Sequence, residues 1–169
     1  MHENVRKIDK IAARNDSSVI LYDGYEEALC GYSVTHDNQF LACYEYQKCL
    51  NGLMADGMDI DEAIEFFDFN TLGTYVEGCP VFVTFVNPSA YASKQAMEVE
   101  LELNFPDEFP NLNERYYPFI IGFSERYGEP TGIVLDYYRV STRLENHEIN
   151  SLLTPREDLA IHLLHFLNI

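Results

Sequence analysis

Tryptophan is missing from this 169-residue chain and bases are scarce, with 11 Lys and Arg against 28 Asp and Glu, a formal net charge of −17. Such a field repels nucleic acid and anionic membrane, so neither is an expected direct partner. Glycine is thin, nine residues scattered singly, and forms neither G-x-x-x-x-G-K nor G-x-G-x-x-G. Phosphate-loop and dinucleotide-binding chemistry is thereby excluded. The four cysteines, Cys30, Cys43, Cys49 and Cys79, make no CxxC pair. They read as reduced, mostly buried thiols rather than a zinc or disulfide framework. No apolar run approaches the length of a bilayer span. The opening stretch MHENVRKIDK lacks the apolar core of a secretory signal, so the expected location is the cytoplasm.

What is present argues for an ordered domain. Hydrophobic residues make up 47% and aromatics 14%, enough for a real core in one domain. Helical spacing of Val5, Ile8, Ile11 and Ala12 predicts a helix over 3–14. Val19–Tyr22 predicts a short strand, Phe40–Tyr46 another, and Gln47–Ala55 a helix stopped by Asp56-Gly57. Asp59 with Glu62 three residues on forms a capping-box pattern for the next helix. There Ile60, Ala63, Ile64, Phe67 and Thr71 make one apolar stripe to be buried, while Asp61, Glu65 and Asp68 share a solvated face. Pro80–Val86 reads as a central strand.

Further along, Met97–Phe105 alternates strictly. Met97, Val99, Leu101, Leu103 and Phe105 point one way, and Glu98, Glu100, Glu102 and Asn104 the other, which predicts a half-buried strand. Phe119–Ser124 and Ile133–Tyr137 predict a strand pair around Tyr127-Gly128-Glu129-Pro130. Arg139–Glu148 predicts a helix. Thr154-Pro155 then starts a last helix running nearly to Ile169.

A displacement of 91 residues aligns Tyr25 with Tyr116, Gly31 with Gly122, Ser33 with Ser124, Tyr46 with Tyr137 and Leu53 with Leu144. A further insertion aligns Asp61–Phe69 with Asp158–Phe166. Either the chain carries internal repeats at 19–86 and 112–169, or two α/β segments share a hydrophobic pattern. The expected fold is α+β (or α/β), one compact domain over 1–169, with a mixed sheet flanked by helices.

Four further features carry a resemblance. They are Asp23, Ala28 and Gly31; the triplet Tyr44-Glu45-Tyr46; Glu62-Ala63 with Glu65, Asn70 and Gly73; and Pro80 with Phe82. Together they resemble a segment common among bacteriophage and prophage proteins, covering roughly residues 19–86. The chain departs from it at Thr35–Gln39, where the family usually turns on Gly-Pro. The resemblance brings no activity and no functional residues. It implies a phage-encoded protein acting in the cytoplasm of a bacterial host.

Asp61, Glu65 and Asp68 have no opposing ligands in the sequence and read as a solvated face. His162 and His165, three apart on the expected last helix, with His147 upstream, have the spacing of a zinc pair but no accompanying motif. A nucleophile pair of His36 with Cys43 or Cys49, which flank Tyr44-Glu45-Tyr46, lacks any supporting signature. No catalytic residue, metal or cofactor is assigned. The acidic stretches dominate instead: from Cys49 to Glu114 the only base is Lys94, against thirteen acids. Asp59, Asp61, Glu62, Glu65, Asp68, Glu98, Glu100, Glu102, Asp107 and Glu108 form the expected partner-binding face. The expected function is a non-enzymatic phage accessory protein binding a basic host protein, concretely an anti-defence, anti-CRISPR-like inhibitor or a nucleic-acid mimic. On the expected strand, alternate carboxylates would repeat about every 7 Å, near the phosphate spacing of a nucleic-acid strand. The alternatives are a metal- or small-ligand-binding enzyme and a structural or assembly protein, and a homodimer fits any of them.

Overall fold

A computed structural model describes residues 1–35, 37–86, 94–104, 120–127, 129–135 and 160–163. The chain is α+β, with one six-stranded mixed sheet and four α-helices among the described residues. The first helix, α1 (Glu3–Arg14), buries Ile8, Ile11 and Ala12, and His2 caps it by accepting the Asn4 N–H. Strands β1 (Leu29–Val34) and β2 (Phe40–Glu45) form an antiparallel hairpin. Helix α2 (Tyr46–Ala55) follows without a break. It stops at Gly57, whose φ of 112° and N–H donation to Met54 mark a left-handed cap.

Helix α3 (Ile60–Phe67) starts on the expected capping box. The Asp59 carboxylate accepts the Glu62 N–H at 2.9 Å, and the Glu62 carboxylate accepts the Asp59 N–H at 3.0 Å. Asp59→Ala removes that cap, and a loss of about 1 kcal/mol is expected, a drop in Tm of roughly 2–4 °C on thermal melting. A π-helical turn, Asp68–Leu72, then widens the end of α3.

Strand β3 (Val81–Phe85) runs parallel to β2 at the centre of the sheet, as expected of its continuous apolar run. Beyond it lie α4 (Lys94–Asn104), β4 (Ile120–Arg126), β5 (Glu129–Leu135) and β6 (Ala160–Leu163). The strand order is β5-β4-β3-β2-β1-β6, and every neighbouring pair except β2–β3 is antiparallel.

The core lies where α1, α2 and α3 meet the sheet. Tyr44 on β2 and Phe82 on β3 are ladder partners and stack with Tyr22. Phe67 drops from α3 edge-on against Phe82, Tyr46 and Tyr25. Gly122 on β4 is required by close approach, since a Cβ there would lie 2.7 Å from the Thr84 carbonyl oxygen.

Four expectations fail. Met97–Phe105 is not a strand: 94–104 is helical, with Met97 and Leu101 fully buried but Val99 54% and Leu103 72% exposed. Met, Glu, Leu and Ala are strong helix formers, and Glu is disfavoured in strands, so propensity overrides the alternation. Val19–Tyr22 joins no strand ladder, and the Tyr22 N–H donates to the Tyr44 hydroxyl at 2.8 Å instead. The last segment is not helical at 160–163; it pairs with the edge of β1, which supplies the backbone partners that a helix would have found internally. The α3 stripe is narrower than expected, because Ala63 and Phe67 alone reach the sheet while Ile60 and Ile64 stay exposed. The expected helix at Arg139–Glu148 lies outside the described residues.

Ladder register bears on the internal echo. In β1–β2 the pairs are Leu29–Tyr44, Gly31–Cys43, Tyr32–Ala42 and Ser33–Leu41. In β4–β5 they are Ile120–Leu135, Gly122–Val134, Phe123–Ile133 and Ser124–Gly132, each displaced by the same interval, with a bulge at the corresponding place. On the outer flank of β1, Leu163, His162 and Ile161 face Gly31, Tyr32 and Ser33. On the matching flank of β4, Phe85, Thr84 and Val83 face Gly122, Phe123 and Ser124. So β6 corresponds in space to β3. The alignment of Asp61–Phe69 with Asp158–Phe166 does not hold, because the former is mostly α3 and the latter contains β6.

Candidate functional site

The expected partner-binding acids fall on two different helices. Asp59, Asp61, Glu62 and Glu65 stand at the start and along α3, and Asp68 opens the π-turn. Glu98, Glu100 and Glu102 belong to α4, so they advance around a helix and do not form a straight row. The phosphate-like repeat expected of a strand is lost with the strand. Asp107 and Glu108 lie outside the described residues.

On α3 the acids have different duties. Asp59 and Glu62 are held in the capping box. Asp68 accepts a hydrogen bond from the Tyr46 hydroxyl at 2.9 Å, which ties the π-turn to the start of α2. Tyr46 is pushed well above the usual tyrosine range by burial, then by that bond and by the Asp68 charge. Glu125, opposite Phe82 on β4, is held above the usual carboxylate range, mainly by burial and secondarily by the Asp68 charge. These groups link the π-turn to α2 by a hydrogen bond and to β4 by charge. Asp61 and Glu65 remain, exposed and one turn apart.

Beside them is a surface that the acid count did not reveal. The π-turn throws Phe69 outward to 84% exposure, and Phe66, one turn earlier, is 41% exposed. With Met58 and Asn70 they line an open groove whose charged members are Glu62 and Glu65. π-turns inside helices recur at functional sites because they re-aim side chains away from the helical rows. The signal was legible in the sequence: Phe66 and Phe69 are three apart and lie off the Ala63–Phe67 stripe, so a helix burying that stripe must leave them uncovered.

Only part of the enzymatic constellations falls within the described residues. Burial holds the Cys43 thiol well above its ordinary range, and burial with the nearby Cys30 and Glu45 pushes Cys49 up to about 12, so both stay protonated at neutral pH and are poor nucleophiles. His36, His147 and His165 lie outside the described residues. His162 sits in β6 opposite Tyr32, so the helical spacing behind the zinc-pair reading is gone at that position. Among the described residues no group of three or more His, Cys, Asp or Glu converges as a metal ion would need. Among them, too, no helix is long and apolar enough to cross a membrane.

No protein-family model matches the chain, and no curated protein and no solved structure matches it.

Proposed function

We propose that this protein is a non-enzymatic binding protein that takes a basic, apolar-anchored segment of a partner protein on the groove of α3 and its π-turn. The observation that carries this reading is Phe69, 84% exposed beside Phe66 and Met58, with Glu62 and Glu65 at the rim. Exposed aromatics are costly to leave in water, and a patch of them with a charged border is the usual anatomy of an interaction site. Complementarity sets the partner's chemistry. The whole stretch from Cys49 to Ser93 has no base, so an apolar side chain flanked by Lys or Arg fits both the floor and the rim. A net charge of −17 also steers a cationic partner toward the protein before contact.

A host protein as that partner, and an anti-defence role, rest on the resemblance of residues 19–86 to phage proteins. Nucleic-acid mimicry by the Glu98, Glu100 and Glu102 row is not part of the proposal, since those residues are helical.

Two variants test the reading against wild type as baits in bacterial lysate, with captured proteins quantified by mass spectrometry. Phe69→Ala should weaken the specific partner by about 10–100-fold, as loss of an aromatic anchor does. Asp61→Lys with Glu65→Lys should slow association and flatten its salt dependence, and neither change touches the capping box. A partner retained equally by all three baits would remove the groove from the interface. Concentration-dependent dimerisation of wild type on size exclusion, abolished by Phe69→Ala, would make the occupant a second copy of this chain and overturn the basic partner.

A further inference from the structure

The two matched hairpins differ at one chemically telling place. In β1 the bulge inserts Cys30, which with Gly31 faces the single residue Cys43 of β2. In β4 the corresponding bulge residue is Ile121, and the position matching Cys43 is Val134. Cys30 and Ile121, together with Phe85, pack on the same small cluster of Cys43 and Val83. The bulge position is therefore compatible with an aliphatic side chain, and its packing alone does not call for sulfur. In the first hairpin the thiols are in contact. The Cys30 Sγ lies 3.7 Å from the Cys43 Sγ and donates to the Cys43 carbonyl oxygen at 3.3 Å. Cys30 is partly exposed and Cys43 buried, so one sulfur meets solvent and the other waits behind it.

We propose that Cys30 and Cys43 are a redox site, forming a reversible intramolecular disulfide when the protein meets a low-molecular-weight disulfide of the glutathione class. The Cys30 thiolate attacks one sulfur of the reagent, whose S–S bond breaks and releases one thiolate, leaving a mixed disulfide on Cys30. Cys43 then gives up its proton to solvent, and its sulfur attacks the Cys30 Sγ, expelling the second reagent thiolate. One reagent disulfide is reduced to two thiols while two protein thiols are oxidised to one disulfide, a balanced two-electron exchange. Closing the bond takes a short side-chain movement, from 3.7 Å to the bonded distance of about 2 Å, within one hairpin. Burial keeps Cys43 protonated at neutral pH, so the second step limits the rate and quickens with pH. The product pins the bulge of β1 to β2, and β1 is also the strand on which β6 pairs.

The test incubates full-length protein with glutathione disulfide at mildly alkaline pH, then maps it without reduction. The tryptic peptide from Asn15 to Lys48 holds both cysteines and leaves Cys49 and Cys79 elsewhere. It should lose about 2 Da, the mass of two hydrogens, and refuse alkylation, and dithiothreitol should reverse both changes. Cys43→Val, which copies the second hairpin, should instead hold a stable glutathione adduct on Cys30. Cys30→Ile, copying the other position, should leave Cys43 reduced, and this outcome carries the test if Cys43→Val does not fold. A persistent adduct on wild-type Cys30 would overturn the proposal. So would an unchanged peptide under conditions that oxidise it in denaturant, or bonds to Cys49 or Cys79.

Discussion

Phe67→Ala should destabilise the protein by about 3–5 kcal/mol, the usual cost of deleting a fully buried aromatic ring. Phe67 is 0% exposed and meets three rings edge-on, with centroids 5.6 Å from Tyr25, 5.4 Å from Tyr46 and 5.2 Å from Phe82. Those partners come from the segment before β1, the start of α2 and the central strand β3. One side chain therefore joins three pieces of chain that are distant in sequence, and no neighbour can close the cavity without moving backbone. Urea unfolding measures the effect. With an m-value of about 2 kcal/mol/M the midpoint should fall by roughly 2 M. Phe67→Leu keeps most of the volume and should lose much less. Phe67 is also the last residue of α3, immediately before the π-turn, so its loss releases the segment that presents Phe69. Partner binding should fall in Phe67→Ala together with stability, whereas in Phe69→Ala it should fall alone. A midpoint shift below about 0.5 M would show that Phe67 is not the keystone.

Elements with two agreeing signals were legible in the sequence. Helix α3 had a cap at Asp59 and Glu62 as well as a period; the cap is present, and of the period only Ala63 and Phe67 are buried within α3. Helix α2 had its Asp56-Gly57 stop, and β3 its continuous apolar run and flanking turns. The β4–β5 hairpin turns within the expected Tyr127-Gly128-Glu129-Pro130 stretch, but more tightly: Tyr127 has a φ of 60°, and Glu129 and Pro130 already pair with Arg126 and Glu125. Failures came where the deciding partner lies elsewhere in the fold. Val19–Tyr22 has strand-forming residues, but whether a strand forms depends on a neighbouring edge, and no window of sequence reports that. Residues 160–163 read as helix from a start signal several positions upstream, while the open flank of β1 is a property of the assembled sheet. The candidate site was half legible: the acids of α3 stood out by charge, whereas Phe66 and Phe69, which lie off the apolar stripe, carry no charge to mark them, and their exposure follows only once Ala63 and Phe67 are seen to be buried.

The internal echo gains from register what it loses in alignment. A hairpin can pair in several registers, and a slip of one residue turns every side chain over. Two hairpins that share register and bulge at one constant displacement are a closer likeness than shared residue types. The third strand of each half then lies on the other half's hairpin, β3 on β4 and β6 on β1. Repeated in the same direction along the sheet, such units must meet through a parallel pair, which is what β2 and β3 form. Residue matching fails after the hairpins, since the spatial counterpart of β6 is β3 and not α3.

Leu101→Ala and Val99→Ala should separate a helical α4 from the strand that alternation predicts. Met97 and Leu101 are four apart, a spacing that both a period of 2 and a period of 3.6 place on one face, so those two residues cannot discriminate. Val99 and Leu103 can, because a strand buries them with Leu101 and a helix turns them away. They are 54% and 72% exposed, while Leu101 is 0%. Leu101→Ala should therefore cost about 2–5 kcal/mol, and Val99→Ala should stay within about 0.5 kcal/mol, helped by the better helix propensity of alanine. Denaturant unfolding of the two variants beside wild type decides it. Equal and large losses would restore the strand and, with it, a straight row of Glu98, Glu100 and Glu102 along one face. That outcome would return nucleic-acid mimicry to the proposed function, so a pair of stability measurements on apolar residues bears directly on which partner this acidic protein is built to meet.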